Sequence, residues 1–180
     1  MSNAVSRQRG RMIIDNPVLG EAVLKIEKIP IASVPTGSEQ DTSINLPTKC
    51  IVYDVWVDVT TAEATGTTKT LDVGLLSTET DGDADGFLDG VSVSALGVID
   101  GKPTFTVGSS DSFYASTTLG AYLRDFVAGT DANGRNGVHS RKPLNKDGIT
   151  ASSVSYTAGS TDFAEFLGDI YILYSEVVST

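Results

Sequence analysis

Apolar and polar positions alternate along much of this chain, and that alternation predicts its elements. In residues 22–29 (AVLKIEKI) apolar and charged side chains take turns. The period of two predicts a half-buried strand with Leu24 and Ile26 facing inward and Lys25 and Glu27 facing water. Pro30 and Pro35 then interrupt the chain, and residues 37–47 (GSEQDTSINLP) read as a polar loop. The clearest alternation covers residues 50–59, with Ile51, Tyr53, Val55, Val57 and Val59 on one face and Val52, Asp54, Trp56 and Asp58 on the other. A slip of one residue would expose the whole aliphatic set, so the register is strongly specified. Leu71, Val73 and Leu75 alternate with Asp72 and Gly74, predicting the returning strand of a hairpin.

Residues 91–99 (VSVSALGVI) predict a further strand, closed by Asp100-Gly101. Residues 119–127 (LGAYLRDFV) fit either a strand or a short helix, and residues 129–148 form a turn-rich, basic excursion. Val154 and Tyr156 mark a short strand. Residues 169–178 (DIYILYSEVV) predict a long, mostly apolar strand central in a sheet. No heptad and no fixed-period repeat is visible. Short strands joined by Gly, Asp, Asn and Thr turns predict an all-β fold, an antiparallel β-sandwich of jelly-roll-like type with an extended N-terminal arm.

Composition adds constraints. At 180 residues the chain suits one domain with a substantial core. No run of about 18 apolar residues exists, so no helical membrane span is expected. The arginine-bearing start has no apolar segment after it, so no secretory signal is expected. Cys50 is the only cysteine, which excludes an intrachain disulfide and a thiolate zinc cluster. The net charge of −10 is unevenly spread. Arg7, Arg9 and Arg11 make the first dozen residues basic and leave 10 basic residues against 23 acidic ones, a net −13. An acidic body disfavours nucleic-acid binding through phosphate contacts. A short basic arm on such a body suits docking on an acidic protein surface or on other copies of the chain. These features divide the chain into a basic arm, residues 1–16, and a single sandwich domain, residues 17–180, with Arg7, Arg9 and Arg11 as partner contacts.

The most suggestive chemistry is DGDADGFLD, residues 81–89. Against a 12-residue calcium loop, Asp81, Asp83 and Asp85 take positions 1, 3 and 5, and Gly86 takes the glycine position. Phe87 offers a carbonyl at 7, Leu88 the apolar residue at 8, and Asp89 falls at 9. Position 12 fails, because Ser92 stands where a bidentate Glu belongs. The stretch therefore reads as a strand-connecting loop first, and second as a weak Ca2+ site with Asp81, Asp83, Asp85 and Asp89 as ligands. Otherwise no cofactor is expected. His139, the only histidine, lies in a basic polar loop and reads as solvent-exposed. Cys50 reads as a small buried hydrophobe. Asp54 and Asp58 flank Trp56 on one strand face, which suits a face covered by a neighbouring subunit better than a glycosidase pair. There is no phosphate loop, dinucleotide fingerprint or catalytic triad, so no enzyme is expected.

Residues 46–66 (LPTK through DVWVDVTTAEATG), 69–76 (KTLDVGLL) and 83–92 (DADGFLDGVS), with GDIYI at 168–172, resemble virion structural proteins of tailed bacteriophages. The relevant class is that of capsid decoration and head or tail accessory proteins. The resemblance covers about half the chain and carries no assigned chemistry. It implies a small β-rich homo-oligomer, often a trimer, that docks on the major capsid protein or other virion proteins and braces the shell. It also implies assembly in the bacterial host cytoplasm, without direct contact to nucleic acid or membrane. The alternative is a carbohydrate- or receptor-binding β-sandwich module using Trp56, Tyr114 or Tyr122.

Overall fold

The long apolar strand near the end of the chain is the axis of the fold. The computed structural model describes residues 6–8, 11–16, 20–31, 37–101, 118–127, 138–141, 143–160 and 163–177. Thirteen strands lie among them, and no helix. They are β1 (Ser6–Gln8), β2 (Arg11–Asn16), β3 (Gly20–Ile31), β4 (Gln40–Asn45), β5 (Cys50–Thr61), β6 (Thr70–Leu75) and β7 (Leu88–Ser92). There follow β8 (Gly97–Ile99), β9 (Arg124–Val127), β10 (Val138–Arg141), β11 (Leu144–Asn145), β12 (Ser153–Ala158) and β13 (Leu167–Val177). As its composition predicts, β13 is central: it pairs antiparallel with β3 on one edge and β5 on the other. The first sheet has the order β1-β2-β3-β13-β5-β11, with β8 also on β5, and the second has the order β4-β12-β6-β7. β9 and β10 form a separate hairpin.

The two antiparallel sheets pack face to face as a β-sandwich. Their shared core takes Ile29, Ile31, Val55, Val57, Ile170 and Ile172 from the first sheet and Leu71, Val73, Leu75, Val91 and Val154 from the second. Phe87, Phe163 and Phe166, all fully buried, fill the core from the connecting loops. Burial of side chains of this size contributes about 1.5–3 kcal/mol each, which is why alternating aliphatics specify the layer.

Several pattern-based expectations change on contact with pairing. Within β5 the inward set is Cys50, Val52, Val55, Val57 and Val59, not Ile51 and Tyr53. A β-bulge causes the change: Leu173 lies opposite Asp54 and Tyr174 opposite Val52, so Tyr53 is an extra residue that flips the parity. In β3 the expected faces are reversed. Ile29 and Ile31 are buried, whereas Ile26 is 58% exposed. Lys25 and Glu27 share the inward parity at the margin of the sheet, where Lys25 pairs with Glu176. Pro30 does not end the strand, because pairing on the outer side of β3 extends only from Gly20 to Leu24 and the missing N–H is tolerated there. The expected loop at 37–47 contains β4, and residues 91–99 divide into β7 in one sheet and β8 in the other. The expected hairpin of β5 with β6 is instead a crossing between sheets. Residues 119–127 resolve into a turn followed by β9. The first sixteen residues contain β1 and β2, which extend the first sheet beyond β3. The boundary drawn at residue 16 adjoins residues 17–19, which lie outside the described residues.

The crossing after β5 is held by Glu63, which is 1% exposed. Its Oε1 accepts from the Thr65 N–H (3.0 Å), the Thr65 hydroxyl (2.8 Å) and the Gly66 N–H (3.0 Å). Its Oε2 accepts from the N–H groups of Ala164 (3.0 Å), Glu165 (2.8 Å) and Phe166 (3.1 Å) in the link between β12 and β13. The Glu63 N–H donates to the Val93 carbonyl between β7 and β8 (3.0 Å). One residue thus ties together three crossings at one end of the sandwich. Burial alone would raise its pKa, but the backbone N–H groups of Glu165, Gly66 and Thr65 and the Thr65 hydroxyl outweigh it and bring it down to about 2.

The folded pKa lies below the ordinary 4.5, so this stabilisation is complete above pH 4.5 and is lost as the pH falls towards 2. Glu63→Gln turns an amide N–H2 towards N–H donors and should cost about 3–5 kcal/mol. Urea unfolding across that acid range checks both points. The wild-type midpoint should fall with pH while the variant, already weakened, loses the part of the slope due to this group; equal midpoints at neutral pH would contradict the assignment.

Candidate functional site

The outer face of the first sheet carries three rows of side chains, and strand register alone builds them. Ile26, Leu173 and Asp54 align across β3, β13 and β5, and Lys28, Tyr171 and Trp56 form the next row. Pro30, Asp169 and Asp58 form the third, which continues on β8 with Val98. In the middle row the Trp56 and Tyr171 rings run parallel, 6° apart in plane with centroids 5.3 Å apart. Lys28 Nζ lies over the Tyr171 ring, 5.8 Å from its centroid, and pairs with Asp169 at 2.9 Å. That pairing holds the Lys28 amine above its usual pKa. A cross-strand aromatic pair contributes about 0.5–1.5 kcal/mol beyond area burial. The flanking rows mix exposed aliphatics, Ile26 at 58% and Val98 at 66%, with the carboxylates of Asp54, Asp58 and Asp169.

The alternation of β5 announces Asp54, Trp56 and Asp58 as a group, and the structure keeps them together on this face. Tyr171, Lys28, Leu173 and Val98 join them only through register. The period-two pattern of residues 169–178 could have nominated Tyr171, but not its partner strand.

The acidic stretch connects β6 to β7, as expected of a strand-connecting loop, and it packs as a folded element. It lies so close to β6 that a Cβ on Gly74 would sit 1.9 Å from the Asp83 carbonyl oxygen. That oxygen accepts the Leu75 N–H (2.9 Å). Phe87 and Leu88 are fully buried, and the Phe87 carbonyl accepts the Gly120 N–H at 2.9 Å. Asp81 adopts φ 65°, a conformation Asp tolerates, and its Oδ2 accepts the Thr150 hydroxyl at 2.9 Å. Tyr122 donates its O–H to the Asp81 carbonyl at 2.6 Å. Asp72 Oδ1 accepts the Gly90 N–H at 2.7 Å. Asp83 is pushed up to about 6, first by its hydrogen bond with Asp85, then by burial and by the charges of Asp85 and Asp89. Burial, followed by the charges of Asp83, Asp81 and Asp85, pushes the Tyr122 phenol up to about 12. The structure therefore places Asp83 beside Asp85 with Asp89 near, and turns Asp81 towards Thr150. Among the described residues no three His, Cys, Asp or Glu side chains gather in a group that could hold a metal ion.

Of the nucleophile candidates, Cys50 is 1% exposed, and burial above all pushes its thiol up to about 11, so at neutral pH it is protonated. Lys146, fully buried beside it, donates its N–H to the Cys50 carbonyl and its amine to the Ala151 carbonyl. Burial lowers its pKa, while Cys50 and Glu79 oppose the shift. His139 lies in β10 opposite Phe126; its side chain and Tyr114 lie outside the described residues. Arg7 in β1 lies opposite Met12, and Arg11 in β2 lies opposite Gln8. The arginine side chains, and Arg9 altogether, lie outside the described residues.

No family model and no curated protein matches the chain. Among solved structures, the cyanophage Pam1 capsid asymmetric unit is similar at 12% sequence identity and a TM-score of 0.42, covering 86% of this chain and 85% of that one.

The Asp83–Asp85 pair makes a pH prediction of the opposite sign to Glu63. A carboxyl raised from 3.8 to about 6 binds its proton more tightly when folded, so stability rises as the pH falls through 6 towards 3.8. Asp83→Asn should raise the melting temperature at neutral pH by about 2 °C, solvent screening keeping the effect small. The gain should disappear near pH 4. A melting temperature lowered equally at both pH values would contradict a proton-sharing pair.

Proposed function

We propose that this chain is a non-enzymatic structural protein of a tailed-bacteriophage particle, a capsid decoration protein that covers and stabilises the head shell as a homo-oligomer. The observation that carries the reading is the outer face of the first sheet. It combines an aromatic centre, exposed aliphatic shoulders and flanking carboxylates, the make-up of a contact surface in which aromatics dominate the binding energy. The segments that resemble virion proteins fall on β5, β6, β7 and β13, the strands that build that face and the core behind it.

The wrapping of the chain supports the reading. Eight strands stand in the orders β3-β13-β5-β8 and β4-β12-β6-β7. The chain passes from one sheet to the other after β3, β4, β5, β7, β11 and β12. We read this as the paired Greek keys of a jelly roll, an architecture used by viral capsid and lectin domains. Fold alone does not choose between those uses. The geometry of the middle row favours contact over sugar binding, because Trp56 and Tyr171 spend ring faces on each other and Lys28 lies over Tyr171, whereas a sugar shelf needs open ring faces.

On this reading the basic N-terminal segment is an attachment element. Deleting residues 1–12 should leave the sandwich folded, because β13 still holds β3, but should reduce occupancy on purified particles at least about tenfold, a loss of about 1.4 kcal/mol. Circular dichroism checks the fold and quantitative gel analysis of particles checks attachment. Unchanged occupancy of a folded deletion variant would count against the role.

A further inference from the structure

Three of the exposed aliphatic side chains of the first sheet gather at one end of it. Val98 of β8 lies opposite Asp58 and Gly97 opposite Val59, which sets Leu96 alongside Thr60. The Thr60 hydroxyl donates to the Leu167 carbonyl at 3.1 Å, so Leu96, Thr60 and Leu167 stand side by side across the sheet. Leu96 is 70% exposed and Leu167 46%. Pro30 is exposed in the same row as Val98 and Asp58. The edge is open at β8, where a Cβ on Gly97 would meet no heavy atom beyond its chain neighbours within 4 Å. Large apolar side chains exposed together mark a contact site.

Glu63 holds this patch from behind. Its N–H donates to the Val93 carbonyl at 3.0 Å, three residues before Leu96, and its Oε2 accepts the Phe166 N–H at 3.1 Å, next to Leu167. Side chains borne on links fixed in this way lose little freedom on docking, which favours contact. The free charges beside the patch have one sign. Asp58 is half-buried and Glu165, two residues before Leu167, is exposed. Among the described residues neither carboxylate has a hydrogen bond or ion pair. Lys28 is committed to Asp169, and Lys69 donates to the Ala64 carbonyl at 2.7 Å. On a chain of net charge −10, a second copy brought to this patch would set acid against acid. A complementary partner supplies cations instead.

We propose that the Leu96–Val98–Leu167 patch, with Asp58 and Glu165 beside it, docks on a different protein, at a surface that sets aliphatic side chains next to lysine or arginine. The aliphatic side chains supply the buried area, and the carboxylates supply orientation and rate of encounter. The inference rests on the virion role and deepens it, naming the end of the face that meets the shell and the chemistry it meets there.

The test adds the purified full chain to particles assembled without it, at low salt and at about 0.5 M salt, where exposed charge pairs are screened. Quantitative gel analysis reads occupancy, and circular dichroism checks folding. The wild type should bind, and less tightly at high salt. Leu96→Ser/Val98→Thr should bind at least about tenfold more weakly at both salt concentrations. Asp58→Asn/Glu165→Gln should bind more weakly at low salt and lose most of the salt dependence. If the first variant fails to fold, Leu96→Ser alone, outside any strand, should weaken binding in the same direction. A wild type that binds while the folded variants bind equally well would overturn this inference and leave the virion role standing. A wild type that does not bind would overturn both. Self-association of the pure chain in sedimentation velocity, abolished by Leu96→Ser/Val98→Thr, would assign the patch to a second copy and also overturn the proposal.

Discussion

Three of the links that carry the chain between the two sheets converge on Glu63, two on its carboxylate and one on its backbone N–H. A sandwich whose chain alternates between layers must fix its crossings, since otherwise each sheet could slide over the other at little cost in apolar contact. Here one carboxylate accepts six main-chain or hydroxyl donors from two loops, while the N–H of the same residue reaches a third loop. A buried charge is tolerated only when its hydrogen bonds are complete. That requirement makes Glu63 a registry element: the sheets can meet in the arrangement that satisfies it and lose it in any other.

With the crossings fixed, the details of pairing decide what the surface looks like. The bulge at Tyr53 turns Cys50 and Val52 into the core and leaves Asp54, Trp56 and Asp58 outward. The reversal of β3 brings Ile26 and Lys28 to the same outer face, beside Leu173 and Tyr171 of β13. A surface with an aromatic centre and open aliphatic margins follows from these two shifts. The opposite sheet face is occupied differently, since the loop bearing Asp81, Asp83 and Asp85 lies down on Gly74 and buries Phe87. The carboxylates there shape the loop through hydrogen bonds to Thr150, to each other and to the Gly90 N–H.

The fold class, the central place of β13 and the connecting role of the acidic stretch were legible in alternation and turn chemistry, because these depend on local sequence. The inward set of β5 was legible only above the bulge, since period-two reasoning carries no information about an inserted residue. The faces of β3 were misassigned for a related reason. Charged Lys25 and Glu27 sit at a sheet margin, and partner strands rather than local polarity determine which parity is inward. β4 was hidden by its polar composition, because at the edge of its sheet it buries alternate residues only in part. Glu63 left no signal, because three of the five residues that donate to its carboxylate lie 101 to 103 residues away. Of the candidate contact face, Asp54, Trp56 and Asp58 were visible from one strand, whereas the rows they complete required the register of four.

These physical features describe a molecule with a pinned interior and a contact-making exterior, which is the proposed role in structural terms. A reconstruction of an assembled particle, at a resolution that traces side chains, tests this most directly. The account predicts that this chain lies on the shell with the outer face of β3, β13, β5 and β8 covered by a neighbouring protein and Trp56 removed from solvent. A particle in which that face is bare and Trp56 stands open to water, or in which the chain is absent from the shell, would contradict it.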